Sequence, residues 1–534
     1  MAKRTALISV FHKQGIVEFC EKLVELDFEL IASGGTAKHL KDAGLVVRDV
    51  AELVGGDAIL GHRVVTLSRE IHAGLMARDT AEDRAELERL GIPWIDLVCV
   101  DLYPLEEEIA KPEATMQSVL EKTDVGGPSM LRSAAKGRRI VVCDPADRIS
   151  VLQVIVFEQD NDPEFRDLLA AKAEYVCARY SLASARFIGG GKFDGMIGSQ
   201  VRELKYGENA HQAPAYHFVA DDADPLALHR FELVHGDRPG YVNTCDMDRL
   251  VITAVHIAAQ FEKAGKELPH LALAVKHGNV CGACYAATKE EAIRGMIEGE
   301  PQDIFGGFIL TTFPIRKEHA ELLVKYLHHA KGKRVISGIL APGFANEAKE
   351  ILTFKVSNCC LFANHALADL GAKDLDRERI LRRVRGGFLM QPNYLSVPDP
   401  EDPQIQKVGP CEYGFEDILL AMAIGRTANS NTIVLTKAGK LIGAGIGQKS
   451  RVRAAKLAID IARGAGHDVS GAIAYSDSFF PFSDGPAVLA EAGVAFIFSS
   501  SGSVRDQDTS ELCKSAGVTL WLYPDKLGRG FFGH

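Results

Sequence analysis

Residues 271–275 read Leu-Ala-Leu-Ala-Val, an apolar run without a polar face, and the next two residues are Lys276 and His277. A strand that is apolar on both faces belongs inside a sheet covered on both sides. Charge at its end is then delivered to the rim of that sheet, where ligands bind in α/β folds. The run therefore fixes a layered α/β architecture and one place where polar chemistry emerges. Lysine beside histidine has a use there. Each cation disfavours protonation of the other, so an imidazole that is neutral near pH 7 is easier to hold. Such an imidazole accepts a proton while the ammonium steadies developing negative charge or protonates a leaving nitrogen. A surface dipeptide just past a strand is the plain alternative, and the surroundings decide between them.

Residues 5–145 alternate short apolar runs with helical spacing: strands at 5–11, 28–32, 94–102 and 140–144, helices at 15–26, 36–43 and 127–136. Ile16, Phe19 and Leu23 share one face of the first helix. Such alternation predicts a parallel α/β sheet with ligands at the carboxyl ends of its strands. A long helix covers 163–187, and Gly189-Gly190-Gly191 then marks a boundary between domains 1–190 and 191–534. Further on, helices are expected at 247–265, 290–298 and 318–330 and strands at 271–276, 308–312 and 335–340. The charged stretch 369–383 reads as a solvated helix and 392–407 as a Pro-rich connector. From about residue 414 a helix (416–428), strands (432–436, 441–445), a helix (451–463) and a strand (472–475) repeat the earlier order. The second domain thus divides into subdomains at about 200–390 and 391–534, with no repeat in the letters.

The formal net charge is −10, so no basic face is offered to nucleic acid, and a small anion has to be caught by local cations and backbone amides. Eleven cysteines, scattered through apolar segments (Cys99, Cys143, Cys177), read as reduced thiols of a cytoplasmic protein. No run approaches the roughly 18 apolar residues of a membrane span. Met1-Ala2-Lys3-Arg4 leads directly into the first strand, without the apolar core of a signal peptide.

Ser33-Gly34-Gly35-Thr36 lies between a strand and a helix, where glycines admit an anion to backbone N–H groups and the helix start adds its dipole. Asp124-Val125-Gly126-Gly127 opens another helix, whose far end carries Lys136. Ser9, Val10 and Lys13 close the first strand, and Asp101-Leu102-Tyr103-Pro104 a later one. Four such loops describe a ring for phosphate and polar groups. In the second half, polar loops recur at 204–212, 428–431, 443–451, 476–482 and 501–506. Phe479, Phe480 and Phe482 beside Asp477 suggest a slot for a flat heteroaromatic ring. Cys281 and Cys284 near His277, and His319 with Glu321, hold fragments of a zinc-deaminase pattern. The H-x-E follows the C-x-x-C instead of preceding it, and Val280 stands where proline belongs, so zinc is not expected.

Several long stretches carry a resemblance: SVxxK(x)G at residues 9–15, SGGT at 33–36, DxGGPxMxRSAAK at 124–136 and KYGENxHQ from Lys205. KHxNxCG from Lys276, Ser430-Asn431, GxGQxSRV ending at Val452 and SDxFFPFxDG from Ser476 continue it. On these motifs, which run in one order end to end, the chain resembles the bifunctional AICAR transformylase/IMP cyclohydrolase family of purine biosynthesis. The resemblance implies an N-terminal methylglyoxal-synthase-like parallel α/β domain followed by two cytidine-deaminase-like α/β subdomains without zinc, in a cytoplasmic homodimer. It implies 10-formyltetrahydrofolate as co-substrate, leaves room for a structural monovalent cation, and calls for neither nucleic acid nor membrane. Formyl transfer to the 5-amino group of AICAR would be followed by ring closure to IMP.

Carried over by position, His277 would take the amine proton, Lys276 would assist at the folate nitrogen and Asn431 would position the formyl group. Lys205, Tyr206, Asn209, Gly307, Arg451, Phe479 and Arg529 would bind AICAR, and Val452, Ser503 and Val504 would lie against folate. For the cyclohydrolase, Lys136, Tyr103 and Asp124 would move protons. Ser9, Lys13, Ser33, Gly34, Gly35, Thr36, Arg63, Thr66, Asp101, Val125, Gly126 and Gly127 would hold the nucleotide.

This chain departs from the pattern in places. Lys205 stands where the family often has arginine, keeping charge but losing bidentate geometry. The tail after Arg529 is one residue longer than usual, which could put Gly530 in the phosphate position. Val65, Phe11 and Asp101 replace a lysine, a serine and an asparagine; a lost phosphate-side cation costs about 1.5–3 kcal/mol where it made a charged hydrogen bond. A chain that keeps the transformylase with a weakened cyclohydrolase is therefore the second reading. A zinc nucleoside deaminase and a non-catalytic nucleotide-sensing module are the remaining ones.

Overall fold

Five short strands, largely buried except for the third, pair in parallel near the start of the chain: β1 (Arg4–Ser9), β2 (Phe28–Ala32), β3 (Val47–Asp49), β4 (Leu97–Val100) and β5 (Ile140–Val142). Their order is β3-β2-β1-β4-β5. The structure, a computed structural model, describes residues 3–60, 63–220, 223–328, 332–353, 359–409 and 414–533; Met1, Ala2 and His534 lie outside them. The chain falls into two units, 1–197 and 198–534. In the first, helix Ile16–Glu25 buries Ile16, Phe19, Cys20 and Leu23, the stripe that its 3.6-residue spacing lays on the sheet. Because every strand runs the same way, the segments after β1, β2 and β4 emerge at one edge, and these carry Lys13, Ser33–Thr36 and Asp101–Tyr103.

The second unit opens with a two-stranded hairpin, β6 (Ser199–Leu204) and β7 (Ala215–Val219). A further twelve strands make one mixed sheet: β8 (Glu232–His235), β9 (His270–Lys276), β10 (Asn279–Ala286), β11 (Phe308–Thr311), β12 (Gly338–Ala341) and β13 (Cys360–Ala363) come from its first half. A separate hairpin, β14 (Ile380–Val384) with β15 (Gly387–Gln391), intervenes. From the second half come β16 (Gln406–Val408), β17 (Ile433–Lys437), β18 (Lys440–Gly445), β19 (Ile473–Ser476), β20 (Phe496–Ser500) and β21 (Thr519–Tyr523). The order β16-β21-β20-β19-β17-β18-β10-β9-β11-β12-β13-β8 reads the same outward from its middle. Each half is an antiparallel edge strand, a helix, a hairpin and three crossover strands, and the halves join where β10 pairs with β18 at Cys284 and Lys440.

The two faces of this sheet are filled differently. On one, the helices Tyr241–Lys263 and Phe415–Arg426 share a single core with Leu271, Leu273 and Val275 of β9. On the other, each half has its own core, and Ala272 and Ala274 meet helix Lys289–Gly299 through Ile293, Met296 and Ile297. The Leu-Ala-Leu-Ala-Val run is thus an alternation after all. Large residues face the shared layer, and alanines allow the private helix to approach.

Three expectations change. Residues 369–383 are not a helix. A short turn at Ala372–Asp374 is followed by β14, and Gly386, at φ 81°, closes the hairpin to β15; that glycine was the turn signal against a helix. The connector ends in β16, which pairs with β21. The helix expected at 318–330 spans Lys317–Lys325, and 329–331 lie outside the described residues. β10 went unread because its cysteines and glycine invited a metal reading.

Close approach in this sheet leaves a measurable signature. A Cβ added at Gly445 of β18 would lie 2.0 Å from the Ala454 carbonyl oxygen, a backbone atom of the helix on top of it. Gly445→Ala is expected to destabilise the second unit by about 2 kcal/mol or more. Urea unfolding followed by Trp521 fluorescence in a Trp94→Phe background checks this, since the chain has 2 tryptophans and the other lies in the first unit.

Candidate functional sites

In the first unit the polar edge divides into two clusters. Around β1 and β2, the Ser9 and Ser33 hydroxyls are 3.0 Å apart, and Thr36 Oγ1 accepts from Val10 N–H at 3.2 Å. Lys13 Nζ donates to Thr36 Oγ1 at 3.1 Å and to the Val10 and Phe11 carbonyls, and burial lowers its pKa despite Asp101 nearby. A Cβ at Gly34 or Gly35 would meet nothing within 4 Å, so the helix start Gly34–Asp42 faces open space, as an anion cradle must. Asp101 takes the N–H groups of Phe11 and His12, and burial raises its carboxyl above the usual range.

The second cluster is built on the start of helix Gly126–Lys136. Asp124 Oδ1 accepts Gly127 N–H at 2.8 Å, its own N–H donates to the Tyr180 hydroxyl at 2.6 Å, and burial pushes its carboxyl up. A Cβ at Gly127 would lie 2.4 Å from Asp124 and one at Gly126 2.6 Å from Thr66 Oγ1, so both glycines serve close contact. Val125 is exposed at the helix start. Tyr103, whose hydroxyl is made less acidic by burial and by Asp124, meets Phe11 edge-on with ring centroids 5.6 Å apart. Phe11 thereby joins the two clusters. Val65 packs against the core, as its apolar side chain requires, and Arg63 pairs with Glu121.

Lys136 is not beside Asp124. It ends the helix that Gly126 begins, about 15 Å away at 1.5 Å per residue. The two residues line opposite stretches of one cavity of about 850 Å³ between that helix and helix Pro163–Ile188, together with Ser129, Arg132, Ser133 and Tyr180.

In the second unit, three loops meet the first turns of helix Tyr241–Lys263. Tyr206 O accepts Tyr241 N–H at 3.1 Å, which fixes the loop of Lys205 and Tyr206. Gln212 closes that loop, accepting from Asn209 through both its N–H (2.8 Å) and its side-chain amide (3.0 Å). Asp246 Oδ1 accepts Gly278 N–H at 2.7 Å beneath the Lys276-His277-Gly278 turn, where His277 is exposed and Lys276 half-buried. One turn further on, Arg249 donates to Thr427 O and, at 3.4 Å, to Asn429 Oδ1. It so draws in the loop of Asn431, whose side chain donates to Gln448 O at 2.8 Å. Gly307 belongs here too, since a Cβ on it would lie 3.6 Å from Lys276 Cβ.

The remaining residues cluster around Asp477. Arg451 donates to Asp477 Oδ1 at 3.0 Å and to Ser478 O at 3.3 Å, and burial lowers its pKa against the pull of that carboxylate. Arg529 pairs with Asp525 and lies 5.7 Å from the Phe479 ring and 5.2 Å from Phe531. Gly530 instead donates its N–H to Asp477 O at 2.7 Å, so the guanidinium and not the glycine faces the aromatic slot. Val452 follows Arg451 in helix Arg451–Gly464, while Ser503, 3.5 Å from Pro481 O, and the exposed Val504 rim the loop after β20. Sequence reasoning missed Asp246 and Arg249 as functional groups. The available signal was an acid at a core-facing helix position beside Met247 and Leu250.

The zinc fragments do not combine. Cys281 and Cys284 are buried in β10, and burial pushes both thiols up, Cys284 to about 12. His319 accepts Arg316 N–H at Nδ1 (3.1 Å) and pairs with Glu290 at Nε2 (3.1 Å), which commits both ring nitrogens. Among the described residues, the one trio of candidate ligand atoms within 4.8 Å is Glu290, Glu318 and His319, without a cysteine.

Comparison with known proteins gives a consistent outcome. Residues 134–461 match the AICARFT/IMPCHase bienzyme family and residues 15–129 the MGS-like domain. The chain is 35% identical to the bifunctional purine biosynthesis protein PurH of Nostoc sp., over 97% of this chain and 98% of that protein. It is 34% identical to PurH of Anoxybacillus flavithermus, with the same coverage of 97% and 98%. A solved structure titled "Crystal structure of ForH" is 35% identical and covers 36% of this chain and 99% of its own, at a TM-score of 0.33.

At pH 8 a thiol with a pKa near 12 is ionised in roughly one molecule in ten thousand. Iodoacetamide is therefore expected to label the exposed Cys245 in the native chain and to spare Cys281 and Cys284 until urea unfolds it. Peptide mass mapping reads the result, and rapid native labelling of either buried thiol would contradict the burial argument.

Proposed function

Since the chain belongs to the bifunctional AICAR transformylase/IMP cyclohydrolase family, we infer that its two units divide the two reactions. The chain transfers a formyl group from 10-formyltetrahydrofolate to AICAR and closes formyl-AICAR to IMP with loss of water, in purine biosynthesis. The observation that carries the division is the helix Tyr241–Lys263, which gathers the Lys205, His277 and Asn431 loops at one end.

The attacking amine is aromatic and weakly nucleophilic, so orientation and proton removal supply most of the rate. His277 takes the amine proton as the nitrogen attacks the formyl carbon, Lys276 protonates the departing folate nitrogen, and Asn431 orients the formyl oxygen. Lys205, Tyr206, Asn209, Gly307, Arg451, Phe479 and Arg529 hold AICAR, and Val452, Ser503 and Val504 line the folate side. In the first unit, Asp124 and Tyr103 act on the carboxamide nitrogen as it closes on the formyl carbon, with Lys136 at the far end of the same cavity. Ser9, Lys13, Ser33–Thr36, Arg63, Thr66, Asp101 and Val125–Gly127 frame the nucleotide. One observation favours the second reading, a weakened cyclohydrolase: Asp101 already occupies the Phe11 and His12 N–H groups that an anion would use.

A monovalent cation fits beside Asp477, whose Oδ2 is fully buried with no hydrogen-bond partner while Oδ1 takes Arg451. Arg451 and the Ser430 side chain already face that carboxylate, so a cation there would take Oδ2 as a ligand and would not be its counter-charge. Two-stranded hairpins are marginal alone, and β6–β7 and β14–β15 expose Tyr216, Phe218, Phe388 and Leu389, which supports a homodimer. No helix among the described residues is long and apolar enough to cross a membrane; a cytoplasmic site fits the substrates.

Purified chain given AICAR and 10-formyltetrahydrofolate should release tetrahydrofolate and IMP. His277→Ala is expected to slow formyl transfer about 10²–10⁴-fold while supplied formyl-AICAR still closes. Asp124→Asn should do the reverse, with formyl-AICAR accumulating. Unchanged formylation in the His277 variant would remove the base assigned here, and closure that never occurs in the wild type would favour the second reading.

A further inference from the structure

Two turns of the second unit are built alike. Lys276 faces Asn279 across the β9–β10 hairpin and Lys437 faces Lys440 across β17–β18, so each loop is two residues long. Both loops sit in the left-handed region: His277 at φ 53° and Gly278 at 74°, Ala438 at 53° and Gly439 at 79°. Glycine accepts this freely; histidine and alanine do not, so something has to hold them. In each case a buried carboxylate from the start of the packed helix does so. Asp246 Oδ1 accepts Gly278 N–H at 2.7 Å, and Asp417 Oδ1 accepts Gly439 N–H at 2.6 Å.

The copies differ in what the carboxylate faces. Asp417 also accepts the Tyr285 hydroxyl at 3.0 Å, and its turn has Ala438 where the first has His277. Asp246 lies under His277, which counters the burial that raises its carboxyl. The second turn therefore separates two things that the first combines: holding a left-handed turn, and setting a charge under an imidazole.

We propose that Asp246 is a positioning residue of the transformylase, fixing the direction of His277 and stabilising its protonated form as the proton arrives. The proposal rests on the transformylase reading and adds to it a partner for the base. A turn freed from its acceptor would let the imidazole wander, and a misplacement of about 1 Å costs on the order of 10²-fold in rate. Charge acts in the same direction. A carboxylate beside an imidazole favours the imidazolium, which is the state formed when the amine gives up its proton. The other charged groups around the turn are Lys276 at the end of β9, which opposes this, and Arg249 one helical turn beyond Asp246. Glu300 and Asp303, after helix Lys289–Gly299, lie towards Cys281 and Lys276. Asp246 is the acid that touches the turn itself.

The test compares full-length Asp246→Asn, Asp246→Glu and Asp417→Asn with the wild type, each assayed for formyl transfer, closure of supplied formyl-AICAR and thermal melting. Asp246→Asn should lower kcat for formyl transfer about 10- to 100-fold with KM for both substrates within about twofold, since neither substrate contact is removed. Removing the negative charge disfavours the imidazolium, so any movement of the acid limb of kcat/KM should be to lower pH. Asp246→Glu keeps the charge and shifts the acceptor; kcat should fall while that limb stays in place. Asp417→Asn should reduce melting temperature and leave both the transfer rate and its pH profile alone. An Asp246→Asn enzyme with wild-type kcat and profile overturns the proposal, as does Asp417→Asn reproducing its losses or Asp246→Glu moving the limb. If Asp246→Asn does not fold, the Glu variant decides, because an unchanged kcat there also overturns it. A wild type without formyl transfer would instead sink the underlying assignment, and normal closure of formyl-AICAR in all variants shows that the first unit is intact.

Discussion

Burial of both faces of β9 governs the chemistry of the second unit. Leu271, Leu273 and Val275 are locked into the layer shared by the two halves, and Ala272 and Ala274 into the private layer below. No position from Leu271 to Val275 can carry a polar side chain without leaving it unpaired in a packed interior. Reactive groups are therefore confined to the turn, a two-residue loop with positive φ at both His277 and Gly278. The imidazole is displayed by a strained backbone because the strand beneath it has no freedom to do otherwise. The Asp246 carboxylate connects that strain to the rest of the fold.

Helix Tyr241–Lys263 is held as firmly as β9. Beyond Leu250 it is buried on nearly every side, through Ala254, Val255, Ile257, Ala258 and Phe261, so it cannot slide without unpacking the shared core. Asp246 and Arg249 stand near its start, three residues apart and on one face. Desolvation works against both charges, raising the carboxyl and lowering the guanidinium, but each finds backbone partners in a different loop. A rigid rod that ends in an acid and a cation is thus what holds loops far apart in sequence, near 277 and 429, in register with each other.

The sequence made the buried strands and long helices readable, because apolar runs such as 28–32 and the periodic stretch at 163–188 have few alternative meanings. It concealed elements whose residues do two jobs. β10 is written in cysteine, glycine and alanine because helix Lys289–Gly299 lies against it, and a Cβ at Gly282 would come 2.3 Å from Met296 O. β14 carries arginines that suit a solvated helix equally well. Asp246 was invisible for the opposite reason, since an acid in a helical pattern reads as a surface position until the turn it supports is known. Residues 124–136 form one unbroken signature in the letters, and the helix expected there carries Lys136 about 15 Å from Asp124.

A chain of net charge −10 that binds anionic nucleotides has to keep its cations from being wasted, and the pairing of its arginines divides them by use. Arg451 and Asp477 have side chains 10% and 0% exposed, so separating them would strand a buried charge, a loss of about 3–5 kcal/mol. No phosphate repays that readily, and Arg451 serves as a fixed wall of the slot. Arg529 with Asp525 (45% and 23%) and Arg63 with Glu121 (65% and 52%) are far more open. Pairs of that kind are worth about 0–1 kcal/mol in water. Either arginine can leave its acid for a dianion at little cost, and the acid left behind remains solvated. Exposure, more than identity, therefore separates an arginine committed to a buried carboxylate from those that can take up an anion.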